Sequence, residues 1–336
     1  MTKMKVGIIG VGGISRVHYE GYIKAGAEVV AIADINPDNL ANRKKEWNIA
    51  HAYSDYHELL ARKDIQAVSV CTPNAIHHPV VMAAAKAGKH ILCEKPISLS
   101  LELAQEMIEA AKEAGVVFQI GHHLRSVAAV IQAKKLIDEG VIGRVNFARF
   151  RQAHDWAGAE TVSPAFGSKK LAGGGTLLDN GCHMMDLSRY LVGETKEIFA
   201  SMATLKFDCE VEDTSLVNLR FENGAIGSVE NAWTATGWEE GFWVYGNKGS
   251  LEYSNRLGEP KLRLSQRISP NTDWDKPDVI EYDLQGKDGH IAGVAGFLEA
   301  IVGKRKTVCS GQDGLEAVKL ILRAYESAKL NKPVEV

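Results

Sequence analysis

Five short apolar runs alternate with helical stretches across residues 5–121, and this alternation constrains the fold more than any other feature. The runs occupy 5–10, 29–34, 67–71, 90–94 and 116–121, with helix-like segments near 14–25, 37–47, 76–87 and 100–114. Strands separated by helices need crossover connections, which make them parallel. Runs as continuously apolar as VGIIG and AVSVC suit a sheet covered on both faces. Beyond residue 144 the pattern becomes alternating. Ser215, Val217, Leu219 and Phe221 fall on one face, Asn218 and Arg220 on the other, and Asn223-Gly224 makes a two-residue turn toward a strand at 225–235. More strand-like pieces follow to about 283, and helices are expected at 126–138, 176–192, 289–302 and 312–329. The chain reads as α/β. A parallel-sheet domain covers 1–122, and an α/β domain with a largely antiparallel sheet, one face covered, takes 123–336. The last helix fits either domain.

With 336 residues, 45% of them hydrophobic, the chain can bury two cores. A formal net charge of −3 gives no electrostatic reason to expect nucleic acid or an anionic membrane as partner. No apolar run approaches the roughly 18 residues of a membrane span. Strand-like residues begin at Lys5, which leaves no room for a signal peptide. Cys71, Cys93, Cys182, Cys209 and Cys309 are scattered, without a CxxC pair or zinc spacing. A reducing, cytoplasmic compartment and no metal site are the expectation.

The first strand runs into Gly10-Val11-Gly12-Gly13-Ile14-Ser15, a GxGxxG arrangement with Ser15 in the third glycine's place. Gly10 permits the tight turn, Gly12 lets backbone approach a pyrophosphate at the helix start, and Ser15 is small enough for helix–strand packing. Asp34 closes the second strand, where a carboxylate can accept from ribose hydroxyls or cap the helix that begins near Pro37. A 2′-phosphate about 4 Å from it is repelled by roughly 4 kcal/mol at an effective dielectric near 20, which favours NAD over NADP. Ligands of open α/β sheets lie beyond the strands' carboxyl ends. Those ends carry Thr72-Pro73-Asn74, Glu94-Lys95-Pro96 and Gly121-His122-His123 as well. A lysine between glutamate and proline at a buried strand end, Lys95, is expected to be catalytic.

Farther along, Gly173-Gly174-Gly175 leads into a helix that Thr176 can cap. Asp179 and His183 are i,i+4 on it, and His183 and Asp186 i,i+3, so the three share a face. Gly181 inside the helix costs about 1 kcal/mol against alanine, so something must approach its backbone, substrate or a neighbouring element.

GVGGIS, CTPNAIHHP, AGKHILCEKP and GGGTLLDNGCHMMD together resemble the Gfo/Idh/MocA oxidoreductase family over nearly the whole chain. The resemblance implies a Rossmann domain followed by an α/β domain with an open, mainly antiparallel sheet. It implies an NAD-dependent dehydrogenase acting on a secondary hydroxyl of a sugar, anhydrosugar or inositol-type polyol. By the motifs, Lys95 takes the place of the EKP lysine, and Asp179 and His183 that of the catalytic pair. Cofactor contacts are expected from Gly10, Gly12, Gly13, Ile14, Ser15, Asp34, Thr72, Pro73, Asn74, His77, Glu94 and Lys95. His122, His123, Arg125, His154, Asp155, Trp156 and Lys169 are expected to line the substrate with Asp179 and His183. Where the family has a tryptophan–arginine pair before its triple glycine, this chain reads AFGSKK. Homo-oligomers, dimers or tetramers, are expected through the sheet's uncovered face, on which Trp233 and Trp243 are placed. Three alternatives stand beside the dehydrogenase: a non-enzymatic NAD-binding regulator, an NAD-dependent redox glycosidase, and a tightly NADP-bound transhydrogenase of sugars.

Overall fold

The computed structural model describes residues 3–256, 260–267, 275–284 and 288–336. It divides into two compact units, Met1–Ser126 with Lys287–Val318, and Val127–Gly286 with Lys319–Val336.

The first unit opens with β1 (Lys5–Ile9), α1 (Ser15–Lys24), β2 (Glu28–Ala33) and α2 (Pro37–Glu46). It continues through β3 (His51–Tyr53), α3 (Tyr56–Leu60), β4 (Ala67–Val70) and α4 (His77–Lys86), then β5 (His90–Cys93), α5 (Leu101–Glu113) and β6 (Phe118–Ile120). Polar caps start several helices: the Asn36 side chain accepts from Asp38 N and Asn39 N with Pro37 in the first turn, and Ser100 caps α5. Among the described residues the strands form one six-stranded parallel sheet ordered β3-β2-β1-β4-β5-β6. The order reverses between β1 and β4, and a crevice opens there at the strands' carboxyl ends. The expected strands are present. β3 and α3 escaped the sequence reading because three and five residues are too short to display a period.

The second stretch holds α6 (Ala128–Asp138), β7 (Val145–Ala153), α7 (Pro164–Gly167), α8 (Lys169–Ala172), α9 (Thr176–Asp179) and α10 (Gly181–Val192). Strands β8 (Thr195–Ala203), β9 (Thr214–Phe221), β10 (Ile226–Ala232), β11 (Glu239–Gly246), β12 (Gly249–Ser254), β13 (Lys261–Gln266) and β14 (Asp278–Tyr282) follow. The chain closes with α11 (Gly289–Ile301), α12 (Gly311–Leu330) and β15 (Val334–Glu335). The described strands make a nine-stranded sheet, β14-β13-β12-β11-β7-β10-β9-β8-β15. It is mixed: β7 and β10 run parallel, and the other pairs are antiparallel. Asn223-Gly224 does turn β9 into β10, with Gly224 at φ 85°. Helices α9 and α10 pack on β7, β9 and β10. Phe150, Phe221 and Phe242 fill the core beneath them.

The division differs from a boundary at 122. Residues 287–318 return to the first unit because α11 is built to dock there. Gly21 of α1 lacks the side chain that would collide with Val294, whose atoms lie 2.8 Å from an added Cβ. Val294, Phe297 and Leu298 complete the core formed by Val6, Ile8 and Ile32. Helix α12 is shared: Gly314 packs on Ile120 and Ile97 of the first unit, whereas residues from Lys319 onward belong to the second. No helix among the described residues is long and apolar enough to cross a membrane.

Candidate active site

At the crevice of the first unit, Gly10 sits at φ 82°, and a Cβ there would lie 2.6 Å from the Cys71 carbonyl oxygen, so only glycine fits. Gly12 and Gly13 differ. A Cβ on either meets nothing within 4 Å, and no side chain caps the N-terminus of α1. Ser15 Oγ donates to Gly12 O at 2.6 Å and closes the turn. Asp34 accepts from Val11 N (2.7 Å) and Asn36 N (2.8 Å), one bond to each oxygen, which leaves each a lone pair for a further donor. It ties the loop to β2, while Asn36 caps α2. Arg43, absent from the sequence reading, donates to Val11 O at 3.3 Å. Ile14 is exposed, and Thr72 Oγ1, at the end of β4, is buried without a hydrogen-bond partner among the described residues. Open glycine backbone, an uncapped helix start, an acceptor on β2 and an orphaned hydroxyl fit a dinucleotide.

Lys95 follows β5, partly buried, with a cis bond to Pro96. Glu94 turns inward to α1. It accepts from His18 Nε2 at 2.8 Å, His18 Nδ1 meets Ser69 Oγ at 2.8 Å, and the Tyr22 hydroxyl meets the same oxygen at 2.7 Å. Burial alone raises the Glu94 carboxyl, but the His18 hydrogen bond, with the charges of His18, Lys95 and His290, holds it at about 2. Its other oxygen accepts from Lys95 N at 3.2 Å. Nothing in the sequence pattern marked His18. His77 is buried, its Nδ1 2.9 Å from the Pro96 carbonyl oxygen and its Nε2 3.0 Å from that of Thr72. Glu94 and His77, expected as cofactor contacts, thus spend these polar atoms inside the unit and fix the Thr72–Asn74 and Lys95 segments to each other. Asn74 and Pro73 stand at the strand end beside them.

His122 is buried, and His123 stacks on His290 with centroids 3.5 Å apart. Burial, and then His290, push His123 well below the usual histidine range. Arg125, expected at the substrate, is buried and paired with Asp313 at 3.2 Å.

In the second unit the triple glycine is a close-packed turn. A Cβ on Gly174 would overlap the Tyr325 hydroxyl, and one on Gly175 would overlap the Glu212 carbonyl. Thr176 is not the cap. Gly175 holds that position, and the Glu212 carboxylate accepts from Gly175 N and Leu177 N, both at 3.0 Å, and from the Tyr325 hydroxyl at 2.9 Å. Burial raises the Glu212 carboxyl despite these bonds. The expected helix over 176–192 is interrupted at Asn180 between α9 and α10. Asp179 ends α9 partly buried, and His183 and Asp186 lie buried on α10. The close approach at Gly181 comes from the protein: Asn231 Oδ1 lies 2.6 Å from an added Cβ. His154 ends the β7 segment next to Asp155 and Trp156, and Lys169 is exposed on α8.

Across the sheet from Asn231, the sequence reading missed Gln152 and Glu240. Gln152 Nε2 donates to Glu240 Oε2 at 2.6 Å, yet burial raises the Glu240 carboxyl from 4.5 to about 7. A raised folded value means stability present below pH 4.5 and lost as pH rises through about 7. Glu240→Gln should therefore stabilise the protein at pH 8 by about 1–3 kcal/mol and scarcely at pH 5. Urea titrations at both pH values check this, and an equal effect at both would refute it.

Residues 4–122 match the oxidoreductase family with an NAD-binding Rossmann fold, and residues 130–252 match the GFO/IDH/MocA C-terminal domain. 1,5-Anhydro-D-fructose reductase of Ensifer adhaerens is 32% identical, over 98% of this chain and 98% of its own. Myo-inositol 2-dehydrogenase of Thermotoga maritima is 29% identical, over 99% and 98%. The solved structure of levoglucosan dehydrogenase with NADH and levoglucosan superposes with a TM-score of 0.91 at 28% identity, covering both chains completely (100% each).

Proposed function

The chain belongs to the Gfo/Idh/MocA oxidoreductase family, and on that premise we propose that it is an NAD-dependent dehydrogenase for a secondary hydroxyl of a sugar, anhydrosugar or inositol-type polyol. The observation that carries the reading is one chain holding both a dinucleotide cradle and the Lys95, Asp179 and His183 set. NAD, when bound, supplies the hydride acceptor. His183 takes the hydroxyl proton, since imidazole is the better base at neutral pH, and Asp179 orients the ring. Lys95 donates to the substrate oxygen and stabilises its developing charge. His18 and Glu94 act through Lys95: the Glu94 carboxylate grips the Lys95 amide and is itself anchored to α1. The names of three relatives state myo-inositol, 1,5-anhydro-D-fructose and levoglucosan, which supports the substrate class.

NADH absorbance, followed over a panel of inositols, aldoses and anhydrosugars, tests the reading. Tight NAD binding with no turnover on any of them points instead to a regulator. Asp34→Ala should weaken NAD by about 10–100-fold and narrow its preference over NADP, because a charged acceptor is lost and the repulsion with it. Unchanged relative affinities would remove Asp34 from the ribose.

A homo-oligomer through the sheet is also part of the proposal, on different residues from those expected. Trp233 faces inward and is fully buried with Phe207 and Val211. Trp243 is half-covered by the Arg149 guanidinium, 4.9 Å from its ring centroid. Phe147, Leu216, Ile226 and Tyr245 remain exposed on the outward face. An apolar patch of this kind favours a second copy. Sedimentation at micromolar concentration should give a dimer or tetramer, and a stable monomer defeats this part.

A further inference from the structure

A single distant residue serves the start of the helix that carries Asp179. Three successive backbone N–H groups, those of Gly175, Thr176 and Leu177, all donate to Glu212: to its Oε2 at 3.0 Å, its carbonyl oxygen at 2.9 Å and its Oε1 at 3.0 Å. These are donors that a helix start leaves without internal partners. Nothing local can take them, because the cap residue is Gly175, which has no side chain. The Tyr325 hydroxyl donates to the same Oε1 at 2.9 Å and so braces the carboxylate from α12. Burial, and then the charge of Glu212, push the Tyr325 phenol well above the usual tyrosine range, so it stays a donor.

Both arms of this clamp are anchored in the sheet. Asp213, the next residue after Glu212, accepts from Leu205 N, Lys206 N, Phe207 N and the Thr214 hydroxyl. Its own N–H donates to Ala203 O at 3.1 Å, and its carbonyl accepts from Trp233 N at 2.7 Å. On α12, Ser327 Oγ accepts from Ala200 N of β8 at 3.1 Å and donates to Lys332 O at 2.7 Å. Helix α9 has no such support of its own. It is four residues long, far short of a helix that is stable alone. Its ladder is broken at Asn180, whose carbonyl accepts from His183 N only three residues on, at 3.1 Å. Asp179 hangs from the clamped turn, its N–H donating to Gly175 O at 2.9 Å.

We infer that Glu212, braced by Tyr325, is a positioning residue: it fixes the direction in which α9 carries Asp179, and through Asp179 the ring of His183. The inference rests on the roles proposed above for that pair and adds two residues to them. Both act through Asp179, so neither is a catalytic residue. A turn of α9 about this corner moves Asp179 with it, because the helix start and the aspartate share one set of bonds. Misplacing a reacting group by about 1 Å costs on the order of 100-fold in rate. One hydroxyl on α12 thus has a kinetic effect without meeting the reaction.

The test uses the full chain with Tyr325→Phe and Glu212→Gln. The first removes one hydroxyl and no charge, and the second sets an amide donor against a backbone N–H. With myo-inositol or levoglucosan as substrate, kcat should fall about tenfold in Tyr325→Phe and about 10–100-fold in Glu212→Gln. The substrate KM and the NADH Kd should stay within about twofold of the parent, the split expected when only the transition state loses support. A second readout needs no turnover. In ¹⁵N-histidine-labelled chain the His183 ring signals are assigned by their loss in His183→Ala. In both variants they should move toward their place in Asp179→Asn, while those of His78, on the first unit, stay put. Tyr325→Phe carries the test if Glu212→Gln does not fold. A parental kcat in a chain that turns over overturns the inference, as does a His183 signal that does not move. If the parent turns over none of these substrates, a moved His183 signal still supports the positioning, and the dehydrogenase reading alone falls.

Discussion

His183→Ala should lose about 10²–10⁴-fold in kcat while NAD binding stays within twofold of the parent, the range removed with a general base. The histidine lies on the second unit's α10, away from the Gly10–Ser15 turn in sequence and in unit, so cofactor affinity has no reason to follow it. Lys95→Ala should also lose turnover, through a donor no longer aimed at the developing oxyanion. Asp179→Asn keeps a side chain able to orient the ring and should do less damage than removing the histidine. Steady-state rates at saturating NAD, with NADH fluorescence titrations alongside, separate chemistry from binding. A His183→Ala enzyme within tenfold of the parent would leave the proton to another group.

Gly175→Ala should cost about 3–5 kcal/mol, enough to lower the yield of folded protein sharply. The new methyl would overlap the Glu212 carbonyl, whose carbon lies 2.7 Å from the built Cβ. Neither partner can rotate away, because the obstacle is backbone. Thr176 N also donates to that oxygen at 2.9 Å, so moving it breaks the helix start. Gly12→Ala gives the contrast. Its Cβ meets nothing, so the protein should melt at the parent temperature yet bind NADH more weakly. Calorimetry and a cofactor titration of the two variants read both effects. Equal melting temperatures for Gly175→Ala and the parent would show that the turn is not rigid.

The parallel strands and the β9–β10 turn were legible because continuous apolar runs and a two-residue Asn-Gly signal are local. So was the loop that ends in Ser15. Contacts between distant segments were not. Glu212 caps α9 from far along the chain, and nothing near Thr176 announces it. His18 looks like any polar residue of a helix until Glu94 is seen beside it. Trp233, expected on the uncovered face, is instead covered by Phe207 and Val211, which lie more than twenty residues away in the sequence. The pairing of Gln152 with Asn231 and Glu240 depends on the register of three strands, which no single segment encodes.

The return of α11 to the first unit bears on synthesis at the ribosome. Once residues 1–126 have emerged, the six strands can pair, but the α1 side of their core lacks Val294, Phe297 and Leu298. The nascent sheet therefore carries bare apolar surface around Gly21 and Tyr22 while residues 127–286 are being translated. That interval is when a chaperone has something to hold, and when neighbouring nascent chains have something to aggregate on.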